Sequence, residues 1–152
     1  MKKSLKITLS LVGVILVAGL GSLFVNLGIE WFNALTKPSQ WIPNIVIPIV
    51  WTIIYILASI VLVLRINREE DNQAINALFI INEILNVLWC MCFFTLKLTF
   101  MGNIVIILNL VLAYLLVIHL FKERKLYGYL LSIYPLWVSI ATTLNTALWI
   151  LN

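Results

Sequence analysis

Charge is scarce in this chain. Of its 152 residues only 11% are Asp, Glu, Lys or Arg and 63% are hydrophobic, where soluble domains run near 25% and about 45–50%. With a mean hydropathy of +1.10, that balance excludes an ordinary soluble domain and points to an integral membrane protein. Acid is scarcer than base: six acidic against ten basic side chains leave a net charge of +4. A basic excess can mark a nucleic-acid binder, but these basic residues lie between apolar runs, beside lipid headgroups, so no nucleic-acid partner is expected. Cysteine is limited to Cys90 and Cys92, two positions apart on one apolar stretch. They lack the four-ligand set of a structural zinc site and are expected to be free thiols. The one histidine, His119, adjoins "FKERK" and reads as an interfacial polar residue rather than a haem ligand. No spacing of acid, base and nucleophile suggests a hydrolase, and there is no phosphate loop or metal-ligand cluster. No cofactor is therefore required by the residues. Internal repeats and inverted pairs of broken helices are also missing, which leaves a repeat transporter unsupported.

What the chain has in quantity is apolar runs of span length. About 20 residues of helix cross the ~30 Å hydrocarbon core. Five such runs are predicted at 7–27, 45–64, 74–95, 102–121 and 127–150, in one membrane domain covering 1–152. The opening "MKKSLKITLSLVGVILVAGLGS" imitates a secretory signal, but its apolar run continues from Ile7 to Ile29, about 23 residues, so it reads as a first helix. Continuous apolar runs without period-two alternation favour helices over barrel strands. The fold class expected is an all-α integral membrane protein, a five-transmembrane-helix bundle.

Basic residues orient the bundle. Lys2, Lys3, Lys6, Arg65, Arg68, Lys122, Arg124 and Lys125 share one side, against Lys37 and Lys97 on the other. The bias predicts a cytoplasmic amino terminus, an extracytoplasmic carboxyl terminus and, without a targeting extension, a multi-pass protein of a bacterial inner membrane.

Polar residues at membrane depth need a partner, since lipid offers none. In the third span Asn82, Asn86 and Trp89 fall on one helical face, bordered by Glu83, the one acid within the predicted spans. Glu83 has two readings: a protonated carboxyl bonded to a neighbouring helix, or a direct polar or proton site together with Asn82. In the fifth span Tyr134, Trp137, Ala141 and Asn145 make a stripe flanked by Ser139 and Thr142; in the second, Trp51, Tyr55 and Ser59 make another. One such stripe suits interhelical packing, whereas three suggest a shared pocket for a flat apolar ligand. Ala18 and Ser22 with Gly21 form a small-residue stretch suited to close helix approach, within the chain or in a dimer.

The first connection, "WFNALTKPSQWIPNIVIPIVW", carries Trp31, Trp41 and Trp51 with Pro38, Pro43 and Pro48. Pro38 and Pro43 should keep it from being helical, and Pro48 falls in the first turns of the second helix, where a missing N–H does least harm. That would put Trp51 about two turns inside the helix.

These residues, followed by "VWTIIYIL", "LNVLWCMCFF" and "ATTLNTALW", resemble the TspO/MBR family, the tryptophan-rich sensory proteins and mitochondrial translocator proteins. The resemblance runs from about Trp31 to Trp149 in order and spacing. Trp31, Phe32, Leu35, Lys37, Pro38, Pro43, Val50, Trp51, Thr52 and Tyr55 match its first motif; Leu85, Asn86 and Trp89 its second; Tyr134, Trp137, Ala141, Thr142, Leu144 and Asn145 its third. The resemblance implies a five-helix bundle, usually a homodimer, with a ligand pocket closed by the first extracytoplasmic loop. It implies binding of porphyrins such as protoporphyrin or haem, and pocket residues Trp51, Asn86, Trp89, Trp137, Ala141 and Leu144 with Trp31 and Phe32 at the mouth; Tyr55 joins them from the second-span stripe. A binding or sensory role is favoured; a small transporter or channel, and a light-dependent porphyrin-degrading enzyme, are the alternatives. Asn86 would bond a polar edge of the ligand and Lys37 would meet a propionate.

Several positions depart from the family pattern. Gln40 stands where the family has tryptophan, with Trp41 next to it as an interfacial anchor, and Ile42 replaces the first of two prolines. Cys90 and Met91 replace a proline pair, predicting a straighter third span. Glu83 replaces an apolar residue. Sterol binding is left without support, because no L/V-x-Y-x-K/R pattern occurs near the end.

Overall fold

The computed structural model describes residues 2–39 and 41–152. Among them, five stretches are long and apolar enough to cross a membrane: Lys3–Ala34, Val46–Asn67, Gln73–Thr95, Thr99–Glu123 and Lys125–Leu151. The helices are α1 (Lys3–Ala34), α2 (Val46–Asn67), α3 (Gln73–Cys90, running into a π-helical turn at Met91–Thr95), α4 (Thr99–Glu123), α5 (Lys125–Leu131) and α6 (Ile133–Leu151). The chain is an all-α membrane protein. Its helices run alternately up and down and pack as a closed ring in the order α1, α2, α5 with α6, α4, α3.

Local chemistry sets the helix ends. α1 is 32 residues long, about 48 Å at ~1.5 Å per residue, so it outreaches the first predicted span at both ends. It stops at Leu35, whose backbone is extended (ψ 145°). There the Lys37 ammonium turns back to donate to the Phe32 and Asn33 carbonyls of the last turn (3.1 and 3.2 Å). Pro48 is the third residue of α2, so its missing N–H breaks no helical bond. α2 ends in a Schellman turn: Glu69 takes a left-handed φ of 60°, while the Glu70 N–H reaches the Arg65 carbonyl and the Glu69 N–H that of Ile66. The Asn72 side chain caps α3 by accepting from Ala74 and Ile75 N–H (3.0 and 3.4 Å).

Two spans differ from the sequence expectation. The third is not α-helical to its end: Met91–Thr95 forms a π-helical turn closed by Leu96 N–H to the Met91 carbonyl (2.9 Å). The wider turn lets three consecutive residues, Cys92, Phe93 and Phe94, all face inward, which an α-helix at ~100° per residue does not allow. The fifth span is interrupted at Ser132 because Pro135 cannot donate to the Leu131 carbonyl and its ring crowds that group; Ser132 instead bonds the Gly128 carbonyl through its hydroxyl (2.6 Å).

At the end of the bundle that holds the start of α1, charged residues lock the turns. Arg65 is buried and donates to both carboxylate oxygens of Glu123 (2.8 and 3.2 Å) and to Asn76 Oδ1 (2.8 Å). Arg124 pairs with Glu70. Burial works against the Glu70 carboxylate, but the Arg124 hydrogen bond, the Tyr127 phenol and the charges of Arg124 and Arg68 outweigh it and hold Glu70 below its ordinary range. Tyr127 Oη and Glu70 Oε2 are both buried, and neither makes a hydrogen bond of ordinary geometry. A carboxyl with a depressed folded pKa stabilises the fold above its unfolded pKa, and that contribution disappears as pH falls through the folded value. The melting temperature is therefore expected to drop as pH falls below the ordinary glutamate range, and Arg124→Ala should flatten part of that slope; an unchanged slope would show that the pair adds nothing.

Candidate functional site

Among the described residues, α2 and α3 nowhere bring their Cα atoms within 8 Å, although each packs on α1. The gap is a cavity of about 440 Å³. α1 supplies one wall through Ala18, Gly21, Ser22, Val25, Asn26 and Ile29; α2 supplies Ile47, Pro48, Trp51, Thr52 and Tyr55; α3 supplies Asn86, Trp89 and Cys90. Phe32 and Phe94 close it toward the first connection. The π-helical turn fixes that end, because Gly28 lets α1 approach so closely that a Cβ there would fall 2.0 Å from the Phe94 carbonyl oxygen. Thr95 ties the same contact with a hydrogen bond to the Phe24 carbonyl (3.0 Å).

The walls are aromatic by construction. Trp51 stacks on Tyr55 (ring centroids 5.8 Å apart, 29° between planes) and lies 6.3 Å from Trp89. Behind that pair, under the first connection, is a second space of about 50 Å³ bordered by Trp41, Trp137, Ala141, Leu144 and Asn145. Phe32, Ile47, Trp51, Trp89 and Phe94 border both spaces. Trp51 and Trp89 are thus the partition between them. The Trp137 indole Nε1 is buried and without an acceptor, and its ring borders only the smaller space.

The first connection is held down from several sides. Trp41 packs on Phe32 (5.7 Å) and donates to Asn44 Oδ1 (2.9 Å); it lines the smaller space rather than serving only as an interfacial anchor. The Asn152 amide bonds both backbone groups of Thr36 (2.9 and 3.0 Å). Lys37 lies over the Phe32 and Trp41 rings at 5.0 and 5.8 Å. Gln40, the departure from the family tryptophan, lies outside the described residues.

The expected site residues do not all meet in one place. Phe32, Trp51, Tyr55, Asn86 and Trp89 line the main cavity, while Trp137, Ala141 and Leu144 stand behind the partition. Trp31 borders neither space and packs edge-on against Phe93 at 5.7 Å. Asn82 and Glu83 border a crevice of about 30 Å³ deeper in the bundle, which shares Tyr55 and Asn86 with the main cavity.

Asn86 is less free than the sequence suggested. Its Oδ1 accepts from Asn109 (2.7 Å) and its amide donates to Tyr134 Oη (3.2 Å). The Tyr134 hydroxyl shares its one proton between Asn82 and Asn109 carbonyl oxygens at 3.1 and 2.9 Å. One level up, Trp89 Nε1 donates to Asn145 Oδ1 (3.1 Å), whose amide reaches Asn103 (3.3 Å). Two buried networks therefore join α3, α4 and α6 through Tyr134 and Asn145 of the α6 stripe, while Trp137 and Ala141 of the same stripe border the smaller space. Asn103 and Asn109 were missed in the sequence. The available signal was two amides in the otherwise apolar run "GNIVIILNLVLAYLL".

The family profile that matches this architecture is that of the TspO/MBR family, over residues 9–150. The chain belongs to the TspO/MBR family. It is 31% identical over 152 residues to the tryptophan-rich protein TspO of Chlorobaculum tepidum, covering 96% of each chain. Against the tryptophan-rich protein TspO of Archaeoglobus fulgidus it is 29% identical over 150 residues, 97% of each. Protein CrtK of Rhodobacter capsulatus is 30% identical over 125 residues, covering 80% of this chain and 78% of that one. With five helices long and apolar enough to cross a membrane, this TspO/MBR protein is a multi-pass membrane protein. The cavity walls come from the motifs that carried the resemblance, with α1 added by the fold.

Proposed function

We propose that this TspO/MBR protein is a membrane-embedded binding protein and sensor for tetrapyrroles, protoporphyrin or haem among them, or similar flat apolar molecules. The observation that carries the reading is the aromatic cavity where α2 and α3 diverge. Its volume of about 440 Å³ falls within the roughly 300–1,000 Å³ of small-molecule sites, and indole and phenol faces stack on flat apolar rings. A macrocycle larger than the cavity gains room if the Trp51 indole swings, since that ring divides the main cavity from the smaller space; the unpaired Trp137 N–H then meets an acceptor on the ligand. With the basic end of the bundle in the cytoplasm, the first connection is an extracytoplasmic lid, and carboxylates of the ligand stay at the mouth beside Asn26 and Asn44. Lys37 is committed to the end of α1 and is not their partner in the closed lid.

Titration of purified protein with protoporphyrin, followed by tryptophan emission, tests this. Saturable quenching is expected. Trp51→Phe should weaken affinity roughly two- to tenfold, the range for one aromatic stacking contact, and Trp137→Phe less, because that ring stands behind the partition. Absence of saturable quenching, or an affinity unmoved by either substitution, overturns the proposal.

A further inference from the structure

Glu83 is an acid within a membrane-spanning helix that no neighbouring side chain answers. Among the described residues its carboxyl has no hydrogen bond or ion pair, so the bond to a neighbouring helix expected from the sequence is not made. Its α3 neighbours are all engaged: Asn82 donates to the Leu78 carbonyl (2.7 Å), and Asn86 and Trp89 belong to the networks above. An ionisable side chain at this depth is costly to keep in hydrocarbon, and an unsatisfied one marks a place where something polar is received.

Its position suits such a role. Glu83 borders the narrow crevice with Val14 of α1, Ile54 and Tyr55 of α2 and Tyr134 of α6, and Tyr55 and Asn86 continue from that crevice into the main cavity. Glu83 is thus at the deep end of the ligand space, and its surface is half-buried rather than sealed. The lining of both spaces contains no Lys or Arg. Arg65, farther along α2, is consumed by Glu123 and Asn76. Lys37 is held at the mouth by backbone carbonyls. The electron-rich faces of Trp51, Tyr55 and Trp89 add to the same preference, because aromatic faces attract cations.

We propose that the deep end of the cavity is a cation site, with the Glu83 carboxylate pairing with a protonated amine or amidine on a ligand whose flat apolar body lies against Trp51 and Trp89. This rests on the reading of the cavity as the site for a flat apolar ligand, and adds which end of the ligand enters first. Cationic or neutral ends go in; anionic groups stay at the mouth.

Three probes with one flat body separate the two readings: pyrenemethylamine, pyrenemethanol and pyrenecarboxylate, each titrated against the full-length protein by energy transfer from tryptophan. The amine is expected to bind on the order of tenfold tighter than the alcohol, as a partly buried charge pair provides, and the carboxylate weakest. Glu83→Gln, which keeps shape and removes charge, should bring the amine to the affinity of the alcohol and leave the alcohol unchanged; Glu83→Asp should retain part of the preference. Saturable binding of all three with equal affinity, or an amine preference that survives Glu83→Gln, overturns the cation site while the cavity reading stands. If none of the three binds saturably, both fail.

Discussion

Replacing Glu123 with leucine is expected to cost about 3–5 kcal/mol, the loss typical of a buried charge left without its partner. The guanidinium of Arg65 is only 3% exposed and Glu123 12%, and among the described residues no other carboxylate pairs with that guanidinium. Its remaining bond, to Asn76, is neutral. At roughly 2–4 °C per kcal/mol for a chain of this size, a detergent-solubilised sample should melt about 10 °C lower. Replacing both partners, Arg65→Met with Glu123→Leu, should recover most of the loss, because the desolvation cost of each charge goes with it. The Lys3–Glu69 pair is the contrast: its side chains are 45% and 78% exposed, and Lys3→Ala should change melting little. A double variant no more stable than Glu123→Leu would show that Arg65 has a role beyond this pair.

Gly28→Ala should be nearly as damaging, and for a different reason. The added methyl meets backbone, the Phe94 carbonyl, which cannot rotate away as a side chain can. α1 must lift from the π-helical turn, weakening the Thr95–Phe24 hydrogen bond and the seat of Phe32. Overpacking of this kind costs about 1–3 kcal/mol and sometimes more, so melting should fall by roughly 5–10 °C. Gly13→Ala and Gly19→Ala are the controls. A Cβ at either position has nothing within 4 Å, and alanine is the better helix former by about 1 kcal/mol, so both should be neutral or mildly stabilising. Equal destabilisation at all three glycines would contradict the close approach.

The spans were legible because lipid imposes their length and apolarity, and the order of tryptophan, asparagine and proline motifs carried the family. The inner faces of α2 and α3 were also legible from helical spacing: Trp51, Tyr55, Asn86 and Trp89 share the cavity. What spacing cannot show is which inner faces turn toward each other. Tyr134 and Asn145 have the periodicity of a pocket wall, yet they bond α3 and α4 because Asn109 and Asn103 stand opposite. The π-helical turn was hidden for a related reason: losing a proline pair removes one cause of a break, but three adjacent inward residues at Cys92–Phe94 and the demands of Gly28 packing supply another. Glu83 stood out in the sequence for its charge, and only the packing shows that no neighbour answers it.

The most direct measurement is a structure of the protein with protoporphyrin bound. The ring is expected between α1, α2 and α3, stacked on Trp51 or Trp89, with its carboxylates toward Asn44 and the first connection. A ring seated elsewhere, on the lipid-facing surface or between α4 and α6 with the α2–α3 cavity empty, would contradict the central claim.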